Sequence, residues 1–136
     1  MNLRAVSPLL LAAGLYSCTP SNDKIPEAKF SSIQKVIFHE RCNASSCHGS
    51  GMKGGLSLIE GASRLQLVGV ASTVDKKHST PWLRVVPGNP DSSFLIVKLT
   101  APDSTEGEVM PRGNDRLSSR QIDSIRQWIR NGAPDN

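Results

Sequence analysis

Aromatic side chains are scarce in this chain: three phenylalanines, two tryptophans and one tyrosine among 136 residues. A small domain with so few large apolar bodies has a thin core of its own, so another apolar body is expected to complete it. Long hydrophobic runs are missing as well, and the apolar stretch from Ala5 to Gly14 is too short to span a membrane as a helix. A phosphate loop is also absent. The glycine-rich stretch Gly49-Ser50-Gly51-Met52-Lys53-Gly54-Gly55 lacks the Lys-Ser/Thr pair at the required spacing and a strand before it. The net charge of +4 is a modest excess that does not imply nucleic-acid binding. Cysteine occurs three times, at positions 18, 42 and 47, and each has a distinct setting.

The first of these closes an N-terminal segment with the layout of an export signal. Arg4 and the free amine supply positive charge and Ala5 to Gly14 the apolar stretch. Leu15-Tyr16-Ser17-Cys18 resembles a bacterial lipobox, although Tyr16 is atypical at its position. Cys18 is therefore expected to carry a lipid and to become the first residue of the mature chain; cleavage nearby by an ordinary signal peptidase is the alternative. Residues 1–17 are read as a signal peptide of the lipoprotein type. Residues 18–29, polar and rich in Pro20, Ser21, Asn22, Asp23, Pro26 and Glu27, form a flexible tether. Residues 30–136 form a single domain. This arrangement puts the protein in the bacterial cell envelope, anchored to a membrane by lipid and facing the periplasm or the exterior.

The other two cysteines belong to Cys42-Asn43-Ala44-Ser45-Ser46-Cys47-His48. Two thiols closed by an adjoining histidine suit covalent haem attachment, in which each thiol adds to a porphyrin vinyl group and the imidazole turns onto the iron. The common spacing leaves two residues between the cysteines, whereas four stand here, so the loop must bulge. Its small residues suit a bulge, and multihaem cytochromes resemble it in using a four-residue gap. Three other readings compete. Cys42 and Cys47 can close a disulfide, as exported cysteines usually do. Cys42, Cys47, His48 and His39 can hold zinc. Either cysteine can be a reactive nucleophile, for which Arg41 is the nearest source of positive charge.

The rest of the domain reads as helices joined by long loops. Ser31 and Gln34 make a capping-box pattern, followed by Ile33, Val36 and Ile37 on one face of a helix running toward Cys42. Leu56, Leu58 and Ile59 alternate weakly, and Ala62 to Val70 has the pattern of a short helix with Leu65, Leu67 and Val68. Residues 71–80, with Asp75, Lys76, Lys77 and His78, lack an apolar period and read as a solvated loop. In Val86-Pro87-Gly88-Asn89-Pro90-Asp91, Asn89 is an N-cap and Pro90 a first helical residue, so Phe94 to Val97 is expected to be helical rather than extended. Residues 101–114 return to loop chemistry around Met110. A last helix opens on a Ser118/Gln121 capping box with a Leu117/Ile122 staple and stops at Asn131-Gly132. It carries an apolar stripe of Ile122, Ile125 and Ile129, with Trp128 in core packing, while Arg126 and Arg130 face solvent.

This order of features resembles the small monohaem cytochrome c domains of bacteria. The resemblance covers about residues 30–133. It rests on Cys42, Cys47 and His48, on Val86-Pro87-Gly88-Asn89-Pro90-Asp91-Ser92-Ser93-Phe94-Leu95, on Met110-Pro111, and on Leu117 through Gly132. It implies an all-α fold of three to four helices around one haem c, with the closing helix crossing the first and with His and Met on the iron.

Among side chains able to supply the second axial ligand, Met110 is expected to do so. Met52 follows His48 too closely to reach the opposite face of a porphyrin, His39 lies on the entering helix, and His78 sits among solvated residues, though it has enough chain to reach. Pro111 favours an extended Met110 suited to presenting a side chain. With both axial positions filled the expected function is one-electron transfer, not catalysis, to a redox partner protein in the envelope. A haem enzyme or gas sensor with an open sixth position, and a haem-free structural or interaction lipoprotein with a Cys42–Cys47 disulfide, remain as alternatives.

Overall fold

The structure, a computed structural model, describes residues 23–113 and 116–136. The expected signal at 1–17, Cys18 and the beginning of the expected tether lie outside the described residues. Among the described residues the regular structure is helical and there is no strand, only isolated bridges such as Val68 with Val85. At the level of class the fold is all-α.

The first helix, α1 (Phe30–Ile33), runs directly into a π-helical segment, Gln34–Cys42. Its wider winding shows at the exit, where Asn43 N donates to Phe38 O, five residues back, at 3.0 Å. The capping box expected at Ser31 and Gln34 does not form. The helix begins one residue before Ser31, with Lys29 as N-cap and no side-chain cap. The open amides are met from the far end of the chain instead: Phe30 N donates to Asn136 Oδ1 at 2.9 Å and Ser31 N to Asn136 O at 2.7 Å. Gln34 is freed for a buried role. Its Nε2 donates to Leu58 O at 3.0 Å and its Oε1 accepts from Ser63 Oγ, which ties the π segment to the loop after the motif and to α2 (Ser63–Leu67).

Asn89 does cap, but it caps a single 3₁₀ turn at Pro90–Ser92, with Asn89 Oδ1 accepting from Ser92 N at 3.1 Å. Ser93 is extended, and α3 (Phe94–Thr100) starts only after it. The turn fixes the direction of entry; the apolar run makes the helix. α4 (Ser119–Arg130) has the expected capping box, with Gln121 N donating to Ser118 Oγ at 3.4 Å and Ser118 N to Gln121 Oε1 at 3.0 Å. It ends where Gly132, at φ +92°, turns the chain through the left-handed region that suits glycine.

The core sits where α1, α3 and α4 meet. Trp128, Ile125 and Ile129 of α4 are wholly buried, and Trp128 packs on Phe30 with ring centroids 5.4 Å apart. Its Nε1 donates to Pro134 O at 2.9 Å, so the buried indole is satisfied. Leu117 is buried and Ile122 packs against the same cluster, as the staple requires. On the outer side Arg126 reaches Asp91 at 2.6 Å, an exposed pair of small energetic weight. Residues 23–29 form no element, yet Gln121 Nε2 donates to Lys24 O at 3.0 Å and Pro26 is buried, so this stretch lies against the start of α4.

Residues 71–80 depart from the expected solvated loop. Asp75 is buried and organises its surroundings, accepting from Trp82 N at 2.8 Å, from Lys77 N at 3.1 Å and from the His78 ring at 3.1 Å. Trp82 and the His78 ring stack with centroids 5.0 Å apart. Polar composition hid a carboxylate that gathers donors rather than facing water.

Candidate cofactor site

The π segment delivers Cys42 to the rim of a cavity, and the four-residue loop after it folds back on itself. Cys47 N and Gly49 N both donate to Ala44 O, at 2.8 and 3.1 Å, and His48 N donates to Cys42 O at 3.1 Å. The bulge is therefore closed by its own backbone. Gly49 is needed for that closure: a Cβ at this position would collide with the Asn43 carbonyl oxygen and touch that of Ala44. Cys42 is half-buried and Cys47 exposed, and both are free thiols. Burial pushes the Cys42 thiol up to about 12, against the influence of Arg41. A nucleophilic cysteine needs the opposite shift, so this environment does not suit the reactive-cysteine reading at Cys42.

His48 is held from two sides. Leu58 N donates to its carbonyl at 2.6 Å, and its ring Nδ1 lies 3.3 Å from Leu56 O. A carbonyl only accepts, so Nδ1 carries the proton and Nε2 carries the lone pair. Burial holds the imidazole below its ordinary value, so the neutral, ligating form is favoured at neutral pH.

Cys42, Cys47, His48 and Met110 all line one cavity of about 580 Å³, within the range of small-molecule and cofactor pockets. Its apolar wall includes Ile37, Phe38, Leu58, Leu67, Phe94 and Leu99. The two stretches expected to supply apolar lining contribute in part: Leu56, Leu58 and Leu67 face the cavity, whereas Ile59 and Leu65 are exposed. Met52, His39 and His78 are not among the lining residues, and Met52 is exposed. Among the described residues no three His, Cys, Asp or Glu side chains gather as a metal site, so the zinc set that includes His39 is not assembled.

No protein-family model, curated protein or solved structure matches the chain.

Met110 reaches the cavity on a loop stapled to α3. Met110 N donates to Lys98 O at 2.8 Å, and the Lys98 ammonium donates to Glu106 O and Glu108 O at 2.7 Å each. Lys98, which no sequence pattern singled out, thus supplies the hydrogen bonds that hold this loop. Arg84 is the other residue that the sequence patterns did not single out. Its guanidinium is buried at the cavity and donates to Gln66 O, Gly55 O and Gly54 O. Burial lowers both Lys98 and Arg84 from their ordinary values. A signal for Arg84 did exist, since it stands as a lone cation inside Leu83-Arg84-Val85-Val86, where a charge must have a buried partner. Among the described residues no helix is long and apolar enough to cross a membrane.

Proposed function

We propose that the cavity holds one haem c, attached through Cys42 and Cys47 with His48 and Met110 as axial ligands, in a cytochrome c-like domain, and that the protein transfers single electrons in the bacterial cell envelope. The observation that carries this reading is the convergence of four residues on one cavity: the two thiols and imidazole of one motif, and the sulfur of a residue 62 positions later. The residues present fit the group. Both thiols are free, the Nδ1–H···O contact to Leu56 assigns the lone pair of His48 to Nε2, and the wall is largely apolar. Arg41, Arg84, Lys98 and Arg112 also line the cavity, suiting a cofactor with carboxylate groups.

The bound iron would supply the one-electron couple. The chain's own residues do the rest. Cys42 and Cys47 fix position, His48 presents a neutral nitrogen, and the apolar wall excludes water. Met110, held by Lys98, offers a thioether, which favours the reduced state more than a second imidazole would. With His48 and Met110 both on the iron, no position would remain for a substrate, and this would favour electron transfer over catalysis. A lipid on Cys18 would anchor the protein to a membrane, with a redox partner protein in the same compartment.

Expression of the full chain with a cytochrome c maturation apparatus tests this. One covalent haem per chain by mass spectrometry and a pyridine haemochrome spectrum are expected, with loss of holoprotein in Cys42→Ala, Cys47→Ala and His48→Ala. Full-yield holoprotein from the double Cys42→Ala/Cys47→Ala variant refutes it. Haem-free, folded protein with a Cys42–Cys47 disulfide points to the structural alternative, and binding of an added ligand to the reduced iron points to an open sixth position. Cys18→Ser is expected to release the protein from the membrane fraction of a lipoprotein-competent host.

A further inference from the structure

After His48 the backbone makes a tight strap, Met52 to Leu56, in which Met52, Gly54 and Gly55 all have positive φ, at 43°, 64° and 62°. A single 3₁₀ turn at Lys53–Gly55, with Gly55 N donating to Met52 O and Lys53 N to Cys47 O at 2.9 Å each, is the regular structure it has, so a run with these dihedrals gains from further support outside itself. Two side chains hold it. Arg84 Nη2 donates to Gly55 O at 3.0 Å and to Gly54 O at 3.3 Å, and Thr73 Oγ1 donates to Gly54 O at 2.6 Å. The other arm of Arg84, Nη1, donates to Gln66 O at 2.9 Å, while the Gln66 side chain accepts from Ser57 N at 2.7 Å just beyond the strap. The strap ends on Leu56, whose carbonyl accepts a hydrogen bond from His48 Nδ1.

We propose that Arg84 is a positioning residue for His48, acting through the glycine strap: it fixes the carbonyls of Gly54 and Gly55, and so the adjacent Leu56 carbonyl that orients the imidazole. This rests on the haem reading for its purpose but not for its geometry. A buried guanidinium whose partners are three carbonyl oxygens is a costly way merely to fill space. Its rigid fork aims separate nitrogens at two backbone segments in fixed directions, a geometry that a lysine's single rotatable ammonium does not impose. The outer partner of a ligating histidine sets ring orientation and basicity, and the Leu56 carbonyl is only as well placed as the strap behind it.

The test is solvent exchange of the His48 Nδ1–H, read by nitrogen-15 NMR of histidine-labelled full-length protein in the reduced form, with haem per chain counted separately. In the wild type the proton is expected to exchange slowly. Arg84→Gln and Arg84→Lys are expected to exchange it about tenfold faster in the haem-bearing fraction, whatever the haem yield, and Thr73→Val, an exposed change at the other hold on Gly54, in the same direction by less. Wild-type exchange in the folded Arg84 variants overturns the proposal. If neither Arg84 variant folds, Thr73→Val decides: faster exchange supports it and unchanged exchange overturns it. A chain without haem sinks the proposed function alone. The imidazole tautomer then gives the reading, with Nδ1–H retained in wild type and mixed in the variants if Arg84 acts as proposed, and equal in all if it does not.

Discussion

Replacing Gln34 by leucine is the sharpest test of how the entering helix is joined to the site. Gln34 is buried, and its amide serves two partners at once, donating to Leu58 O and accepting from the wholly buried Ser63 hydroxyl. Leucine fills similar space but leaves both groups without this partner. A buried polar group so orphaned costs about 1–3 kcal/mol, so Gln34→Leu is expected to destabilise by about 2–5 kcal/mol. Adding Ser63→Ala removes one of the two orphans, so the double variant should be more stable than Gln34→Leu alone by about 1–3 kcal/mol. Urea unfolding followed by Trp128 fluorescence measures all four corners of the cycle. The effect should extend to the site, because Leu58 also donates to the His48 carbonyl at 2.6 Å. If Gln34→Leu costs under about 0.5 kcal/mol, or the two changes add without coupling, the network does not carry the load assigned to it.

Further outcomes follow from individual contacts. Met110→Ala is expected to abolish a near-infrared sulfur-to-iron band of the oxidised protein and to lower the potential; a band that is absent from the wild type, or that survives the change, rules Met110 out as ligand. Gly49→Ala should reduce holoprotein yield, since the added methyl collides with the Asn43 carbonyl and crowds the Ala44 carbonyl that closes the bulge, and wild-type yield would show that the bulge adapts. Ser118→Ala should cost about 1 kcal/mol through loss of the α4 cap, read by denaturant midpoint at constant slope. Burial alone would raise the Asp75 carboxyl, but donors from Trp82, His78 and Lys77 bring it below its ordinary value. Its contribution is therefore present above the unfolded carboxylate value and lost as pH falls through the lower folded one. Below about pH 4 the wild type should lose Trp82 order, while Asp75→Asn should show no such acid step; superimposable profiles would refute this.

The helical class and α4 were legible because their signals are local: a capping box, a staple and a three-four apolar stripe all lie within one stretch of chain. The same logic failed at Ser31 and Gln34, where the pattern is present but Asn136 supplies the amide partners from over a hundred residues away. Gln34 shows why such misreadings occur. Its polar side chain looks like a cap in one dimension and is a buried cross-link in three. Asp75 is the same case in a loop, and Pro90 shows that a correct start signal can open a turn rather than the helix that follows it. The candidate site was legible where one motif carries it, in Cys42, Cys47 and His48. Met110 came from elimination, Arg84 is marked only by being a lone cation in an apolar run, and Lys98 acts on backbone carbonyls and leaves no pattern that spacing detects.

The scarcity of aromatics bears on how the two sides of the core divide. Phe30, Trp128, Ile125 and Ile129 pack against one another around α4 and none of them lines the cavity. Ile37, Phe38, Leu58, Leu67 and Leu99 belong to the same buried cluster and also form the cavity wall. The second group therefore packs on protein from one side and borders the cavity on the other; Ile37 and Leu67 are already wholly buried, so an apolar occupant would add packing contacts to them rather than remove surface from water. This makes the two groups separable by experiment. Large-to-small changes at Ile125 or Ile129 should destabilise the chain by about 2–5 kcal/mol whether or not the cavity is filled. Ile37→Ala or Leu67→Ala should cost more in the filled state than in the empty one, because only there do these side chains lose contacts on both sides. Equal losses in both states would mean that the cavity wall is not a binding surface, and the reading of the site would have to be given up along with it.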